Sequence, residues 1–167
     1  MFPSHDSVVI IRLGTRIPIV IPQRITDNLC KIFENYHPFF ISLHINHPKE
    51  LTEEVKTSID KLSKAGIPLG SQTVLLNGVN DSAETMNLLM RKLLTFRIRP
   101  YYLYQCDLVQ GTSHLRTSFS KGVEIMRKLR GFTTGYAIPT YVIDAPGGGG
   151  KIPIEPSSIV SQRNGVS

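Results

Sequence analysis

The sequence predicts an α/β fold of parallel strands joined by crossover helices. Three observations lead there. Short apolar runs, rich in β-branched and aromatic residues and bounded by Gly, Pro or Asn, recur at fairly even spacing. Segments with helical apolar periodicity separate them. The resulting order, βαβαβαβ followed by αβ, becomes a parallel sheet when each crossover is right-handed. A repeat of roughly thirty residues is the ordinary length of one βα unit. Four or five such units build either a doubly wound sheet or part of a barrel, and chain length does not choose between them.

The strands are expected at "SVVIIRL" (7–13), "FFISLHI" (39–45), "IPLGSQTVLL" (67–76), "IRPYYLY" (98–104) and "YAIPTYVID" (136–144). The first helix, "RITDNLCKIFENY", places Leu29, Ile32 and Phe33 on one face, with Thr26 as N-cap. The second, "LTEEVKTSIDKLSKAG", aligns Val55, Ile59 and Leu62 and stops at Gly66. In "DSAETMNLLMRKLLTF", Asp81 and Glu84 read as a capping box, and Met86, Leu89, Met90 and Leu93 form the stripe. A fourth helix, "SKGVEIMRKLRG", ends at Gly131.

The 167 residues suffice for one domain with a real core, and the 41% hydrophobic content is ordinary. The longest apolar region is broken by Arg12 and Arg16, which argues against a membrane span or a leader. A cytoplasmic protein is expected. The two cysteines, Cys30 and Cys106, define neither a disulfide framework nor a zinc-finger spacing. The +6 formal charge suits an anionic partner, but the Lys and Arg residues are spread along the chain and coincide with helical faces. Charge therefore does not select a nucleic-acid partner.

Function in such folds collects at the C-terminal ends of the strands. Polar residues recur there: Arg12, His44, Gln72, Tyr104, Asp107 and Asp144. One such residue is usually a turn former or a cap, whereas six converging ones mark a candidate site. His44 and His47 have no recognised zinc spacing and no nearby Cys, so no metal site is expected. Asp107 and Asp144 suit either acid/base work or the binding of a cationic group.

The last strand runs into "DAPGGGGKIP", residues 144–153. A Walker loop needs G-x-x-x-x-G-K-[ST], and here Ala145 stands at the first position and Ile152 follows the lysine, so that reading fails. A flexible linker and the seat of a reactive amine remain. The second needs an amine whose pKa is lowered by its surroundings.

Taken together, "RIRPYYLYQCDLVQGTSHLRT", "KGVEIMRKLRGFTTGYAIPTYVIDAPGGGGKIP" and "SLHINHPKELTEE" resemble the lysine 2,3-aminomutase family, from about Val8 to Pro156. The resemblance implies a fold: the C-terminal portion of a partial (βα) barrel of the radical S-adenosylmethionine (SAM) type. It implies an activity, radical migration of the lysine α-amino group to the β-carbon. It also implies three cofactors: pyridoxal phosphate, SAM and a [4Fe–4S] cluster.

By the same resemblance, Lys151 is the lysine that holds pyridoxal phosphate covalently, and Gly147, Gly148, Gly149 and Gly150 belong to its motif. Asp107 and Asp144 match the carboxylates that hold the ε-ammonium of the substrate L-lysine. His44 and Gln72 fall at positions resembling SAM contacts, Tyr104 resembles a tyrosine beside the cofactors, and Arg12 is assigned to the same site.

The family's C-x-x-x-C-x-x-C cluster motif is absent from these residues, as are its G-G-D-P-like segment and upstream arginines. Ser82 stands where relatives can carry a zinc cysteine. The expected organisation is a barrel segment over 1–156 and a tail over 157–167. The expected function is that of a C-terminal aminomutase fragment, inactive alone, completed by a separate N-terminal chain carrying the cluster motif. Two alternatives are a non-catalytic remnant and a small basic binding module.

Overall fold

The computed structural model describes residues 8–154. The tail expected over 157–167, and both ends of the segment expected over 1–156, lie outside them. Six strands form one sheet in sequence order: β1 (Ile11–Thr15), β2 (Phe39–His44), β3 (Leu69–Leu75), β4 (Arg99–Gln105), β5 (Thr140–Ala145) and β6 (Gly150–Pro153). The first five are parallel, and β6 returns antiparallel on β5. The helices are a single turn α1 (Ile17–Val20), then α2 (Asp27–Glu34), α3 (Glu53–Lys64), α4 (Ala83–Thr95) and α5 (Phe119–Leu129).

The sheet curls, with the helices on its convex side. Alternation along the strands divides the residues between the two faces. In β2, Phe39, Ile41 and Leu43 are buried beneath the helices, while Phe40 and His44 stay exposed on the other face. The core between the layers takes Val55, Ile59 and Leu62 from α3 and Met86, Leu89, Met90 and Leu93 from α4, as their periodicity predicts. Each contributes about 1.5–3 kcal/mol on removal from water.

The helix ends follow from local chemistry. Thr26, Thr52 and Ser118 accept the N–H groups of Leu29, Val55 and Lys121, and Gly66 and Gly131 take positive φ where α3 and α5 stop. Two expectations need correction. The N-cap of α4 is Ser82, which accepts from Thr85 N–H, whereas Asp81 accepts from Gly78 N–H in the preceding turn. In α2 the buried residue is Cys30 and Ile32 is exposed, because this short helix lies at the end of its layer and packs against α3. Strand β6 was not expected at all.

One irregularity shapes the concave face. The β3–β4 register shifts between Ser71 and Gln72, which gives β4 one extra residue. Tyr101 and Tyr102 therefore share the concave side, with ring centroids 4.0 Å apart, and Tyr102 meets Tyr104 edge-on at 5.6 Å.

Candidate active site at the carboxyl ends of the strands

Three loops lock the strand ends. Asn46, just past β2, accepts Val74 N–H at 2.9 Å. Asn80, which is 1% exposed, accepts Leu76 N–H at 2.7 Å and donates to the carbonyls of Asn46 and Val74, each at 2.8 Å. Glu50 accepts the N–H groups of Asn46 and His47 at 2.8 Å and pairs with Arg16, past β1, at 2.6 Å. The ends of β1, β2 and β3 are thus tied through buried or half-buried polar groups, each costly to leave unpaired. His47 caps the turn at Pro48–Glu50 by accepting Lys49 N–H, a structural role.

Beside this frame lies a cavity of about 380 Å³. Its lining gathers the six predicted residues, though not all at strand ends: His44 closes β2, Tyr104 and Asp144 are next to last in β4 and β5, and Asp107 lies just beyond β4, whereas Arg12 is the second residue of β1 and Gln72 the middle one of β3. Lys151 joins them from β6. The glycines do not line it; Gly147 to Gly150 make the turn between β5 and β6. Gly147, Gly148 and Gly150 adopt φ of 72°, 83° and 75°, which only glycine reaches without strain. The run is therefore neither a linker nor a phosphate loop. It reverses the chain so that Lys151 pairs in register with Asp144.

That register brings Lys151 Nζ to 3.1 Å from Asp144 Oδ1 and to 5.4 Å from the Tyr104 ring centroid. The paired Asp144 carboxylate raises the Lys151 pKa, against a smaller opposing effect of burial. The reactive-amine reading needs a lowered pKa; with Asp144 alongside, the shift runs the other way. The Tyr104 phenol is raised chiefly by burial, with the Lys151 charge acting against it.

Sequence reasoning missed Gln105. It lines the same cavity and is held by a donated bond from Tyr141 Oη and by its own bond to the Thr117 carbonyl at 2.8 Å. Its signal is a polar residue inside an aromatic strand run, next to Cys106 and Asp107. Asn46, two residues past β2, carried the signal of an asparagine close after a strand end, and Asn80, five residues past β3, that of an asparagine closing the loop before α4. A second cavity of about 400 Å³ adjoins the first and shares Gln105, Asp107 and Asp144 with it.

A curled parallel sheet with its helices on one face is a portion of a (βα) barrel and not a doubly wound sheet, which carries helices on both faces. A solved structure agrees: a radical SAM methyltransferase from Sphaerobacter thermophilus superposes with a TM-score of 0.59, at 18% identity, over 80% of this chain and 40% of its own. The fold is the radical SAM type of partial barrel.

A family model described as "Lysine-2,3-aminomutase" matches residues 126–166. L-lysine 2,3-aminomutase of Methanococcus maripaludis is 60% identical over 158 residues, which is 95% of this chain and 36% of the relative. The Fusobacterium nucleatum enzyme of the same name is 55% identical, over 93% of this chain and 36% of the relative. Glutamate 2,3-aminomutase of Clostridioides difficile is 51% identical, over 91% and 36%. The chain is homologous to the C-terminal part of the lysine 2,3-aminomutases and spans about a third of their length. Among the described residues, no helix is long and apolar enough to cross a membrane.

Proposed function

We propose that this chain supplies the substrate-holding and pyridoxal-phosphate-holding part of a lysine 2,3-aminomutase. The observation that carries the reading is the single cavity where Lys151, Asp107 and Asp144 meet Arg12, His44, Gln72 and Tyr104. Two carboxylates at one wall suit a distal alkylammonium, which favours lysine over the acidic substrate named in the glutamate relative. An amine on a short, register-fixed strand suits covalent attachment of an aldehyde cofactor. Pyridoxal phosphate bound there supplies a conjugated ring that spreads unpaired spin during nitrogen migration.

The chain's own residues then divide the work. Lys151 anchors the cofactor, and Asp107 and Asp144 fix the far end of the substrate. Tyr104 packs beside both and limits water access. His44, Gln72 and Arg12 occupy the wall assigned to SAM. Holding the substrate at both ends matters, because hydrogen abstraction needs near-contact geometry.

The thiolates do not fit the cluster. Cys30 is buried in α2 and Cys106 follows β4, and two thiols cannot supply the ligand set of a [4Fe–4S] centre. Radical generation therefore belongs to residues outside these 167, on a complementary N-terminal part. The basic-module alternative has less support. Helix-borne cations pair with acids, as in Lys61–Asp27 and Lys128–Glu124, both at 2.9 Å.

The test is pyridoxal phosphate binding, borohydride reduction and peptide mapping. The expected result is a pyridoxyl group on Lys151 that disappears in Lys151→Arg. Label scattered over surface lysines would refute the assignment. Lysine turnover by this chain with SAM and a reductant, and no second chain, would refute the division of labour.

A further inference from the structure

We propose that Arg116 is a positioning residue for substrate selection: it clasps the backbone of the loop that opens at Asp107 and holds that carboxylate where the distal ammonium of a diamino acid meets it. The inference rests on reading Lys151 and Asp107 as cofactor and substrate residues, and it adds the residue that sets where Asp107 stands. Three observations carry it. The Arg116 guanidinium reaches back across the loop: Nε donates to the Asp107 carbonyl at 3.2 Å and Nη2 to the Val109 carbonyl at 2.9 Å. The residues on either side of Arg116 are themselves fastened. Asn77, in the loop after β3, donates its N–H to the Leu115 carbonyl at 2.8 Å, and Gln105 donates to the Thr117 carbonyl at 2.8 Å. Gln105 is 7% exposed, and its amide oxygen accepts from Tyr141. The third observation is what the guanidinium leaves alone. It takes only carbonyls, and among the described residues no hydrogen bond or ion pair occupies the Asp107 carboxylate, which borders both cavities.

Strand β4 fixes one end of this loop, and the bond from Gln105 to Thr117 brings the other end back to the same place. That closure alone leaves the peptides between them free to turn. The guanidinium fork removes the freedom: its donors lie on one rigid plane and tie the Asp107 and Val109 carbonyls together, while Val109 N–H closes on the Asp107 carbonyl at 2.9 Å. A carboxylate ordered before the ligand arrives loses no backbone freedom on binding. Charge works the other way. A guanidinium near Asp107 opposes an arriving ammonium, so an Arg116 acting only by its charge would tighten the site when removed. The clasp predicts the opposite sign.

The test uses the full chain carrying pyridoxal phosphate on Lys151. L-Lysine, or L-norleucine, which lacks the distal amine, competes for the aldehyde carbon, and Lys151 leaves as a free amine. Borohydride then fixes what remains on Lys151, and peptide mapping gives the amino acid concentration that halves the label. Any primary amine gives such a value, so the ratio of the two isolates the distal ammonium. The expected ratio favours lysine by about tenfold in wild type, the size of one charge-assisted hydrogen bond. In Arg116→Ala it falls to about threefold or less. Arg116→Lys, which keeps the charge but not the fork, also falls below wild type.

A ratio that holds or rises in Arg116→Ala overturns the clasp, as does a wild-type ratio near one. A merely structural arginine would move both amino acids together and leave the ratio where it was. A wild-type chain whose Asp107 and Val109 N–H groups are mobile by 15N relaxation also overturns it, even if Arg116→Ala fails to fold. A labelled Lys151 with an unmoved ratio leaves the proposed function and sinks the clasp. No label on Lys151 in wild type sinks the proposed function, and the clasp with it.

Discussion

Gly122 lies inside α5, where an alanine is normally preferred by about 1 kcal/mol. Here the substitution Gly122→Ala is expected to destabilise. A Cβ at this position would lie 2.2 Å from Tyr141 Oη, 2.3 Å from Cζ and 2.6 Å from Cε1, all inside the 3.0 Å that real Cβ atoms keep. The ring has nowhere to go: Tyr141 is 1% exposed, and its hydroxyl donates to Gln105. Forcing α5 or the ring aside costs about 1–3 kcal/mol as overpacking. Losing the buried hydroxyl bond adds about 1 kcal/mol. Against the helix-propensity gain, the net loss is about 2 kcal/mol, or a Tm drop of about 4–8 °C in a chain of this size.

Thermal melts followed by circular dichroism measure it. Combining the change with Tyr141→Leu, which removes the ring, should recover a coupling energy of about 1 kcal/mol or more. A Gly122→Ala chain that melts higher than wild type would refute the packing argument. It would also refute the claim that Tyr141 positions Gln105 at the cavity.

Asn80→Ala removes three hydrogen bonds and strands buried backbone groups at the ends of β2 and β3, for an expected loss of about 3 kcal/mol or more in urea titration. A loss under about 0.5 kcal/mol would show that the strand ends are not tied through this side chain. Burial pushes the Tyr141 pKa up to about 12 from 10. The folded state holds this proton more tightly than the unfolded chain, so the stability it contributes is intact below about pH 10 and fades as pH climbs toward 12. Comparing wild type with Tyr141→Phe by phenolate absorbance should show its transition last among the tyrosines, and titration of Tyr141 with the exposed phenols would contradict the burial. Val9, Ile10 and Val20 are 75%, 59% and 54% exposed on the segments flanking β1, an edge strand among the described residues. Sedimentation velocity should show concentration-dependent self-association that Val9→Lys with Ile10→Lys reduces, and a monomer at all concentrations would refute that reading of the edge.

Much of this fold was legible from pattern. Val55, Ile59 and Leu62, and Met86, Leu89, Met90 and Leu93, announce their buried faces by helical spacing, because a helix presents one stripe to one layer. His44, Tyr104 and Asp144 come to one cavity because parallel strands all place their carboxyl ends on one edge, while Arg12 and Gln72 reach it from within β1 and β3. The run "GGGGK" marked the position of Lys151, and resemblance suggested its chemistry.

What the sequence could not express is pairing between distant residues. Three positive φ values in the glycine run create β6, and only the β5–β6 register sets Lys151 opposite Asp144 and so raises its pKa. Gly122 reads locally as a weak helix residue; only the Tyr141 ring across the layer explains it. Periodicity and turn chemistry are properties of neighbours in sequence, so the chain states them directly. Register, contact and the sign of a pKa shift depend on what tertiary folding brings within a few ångströms, and those were decided only in the folded sheet.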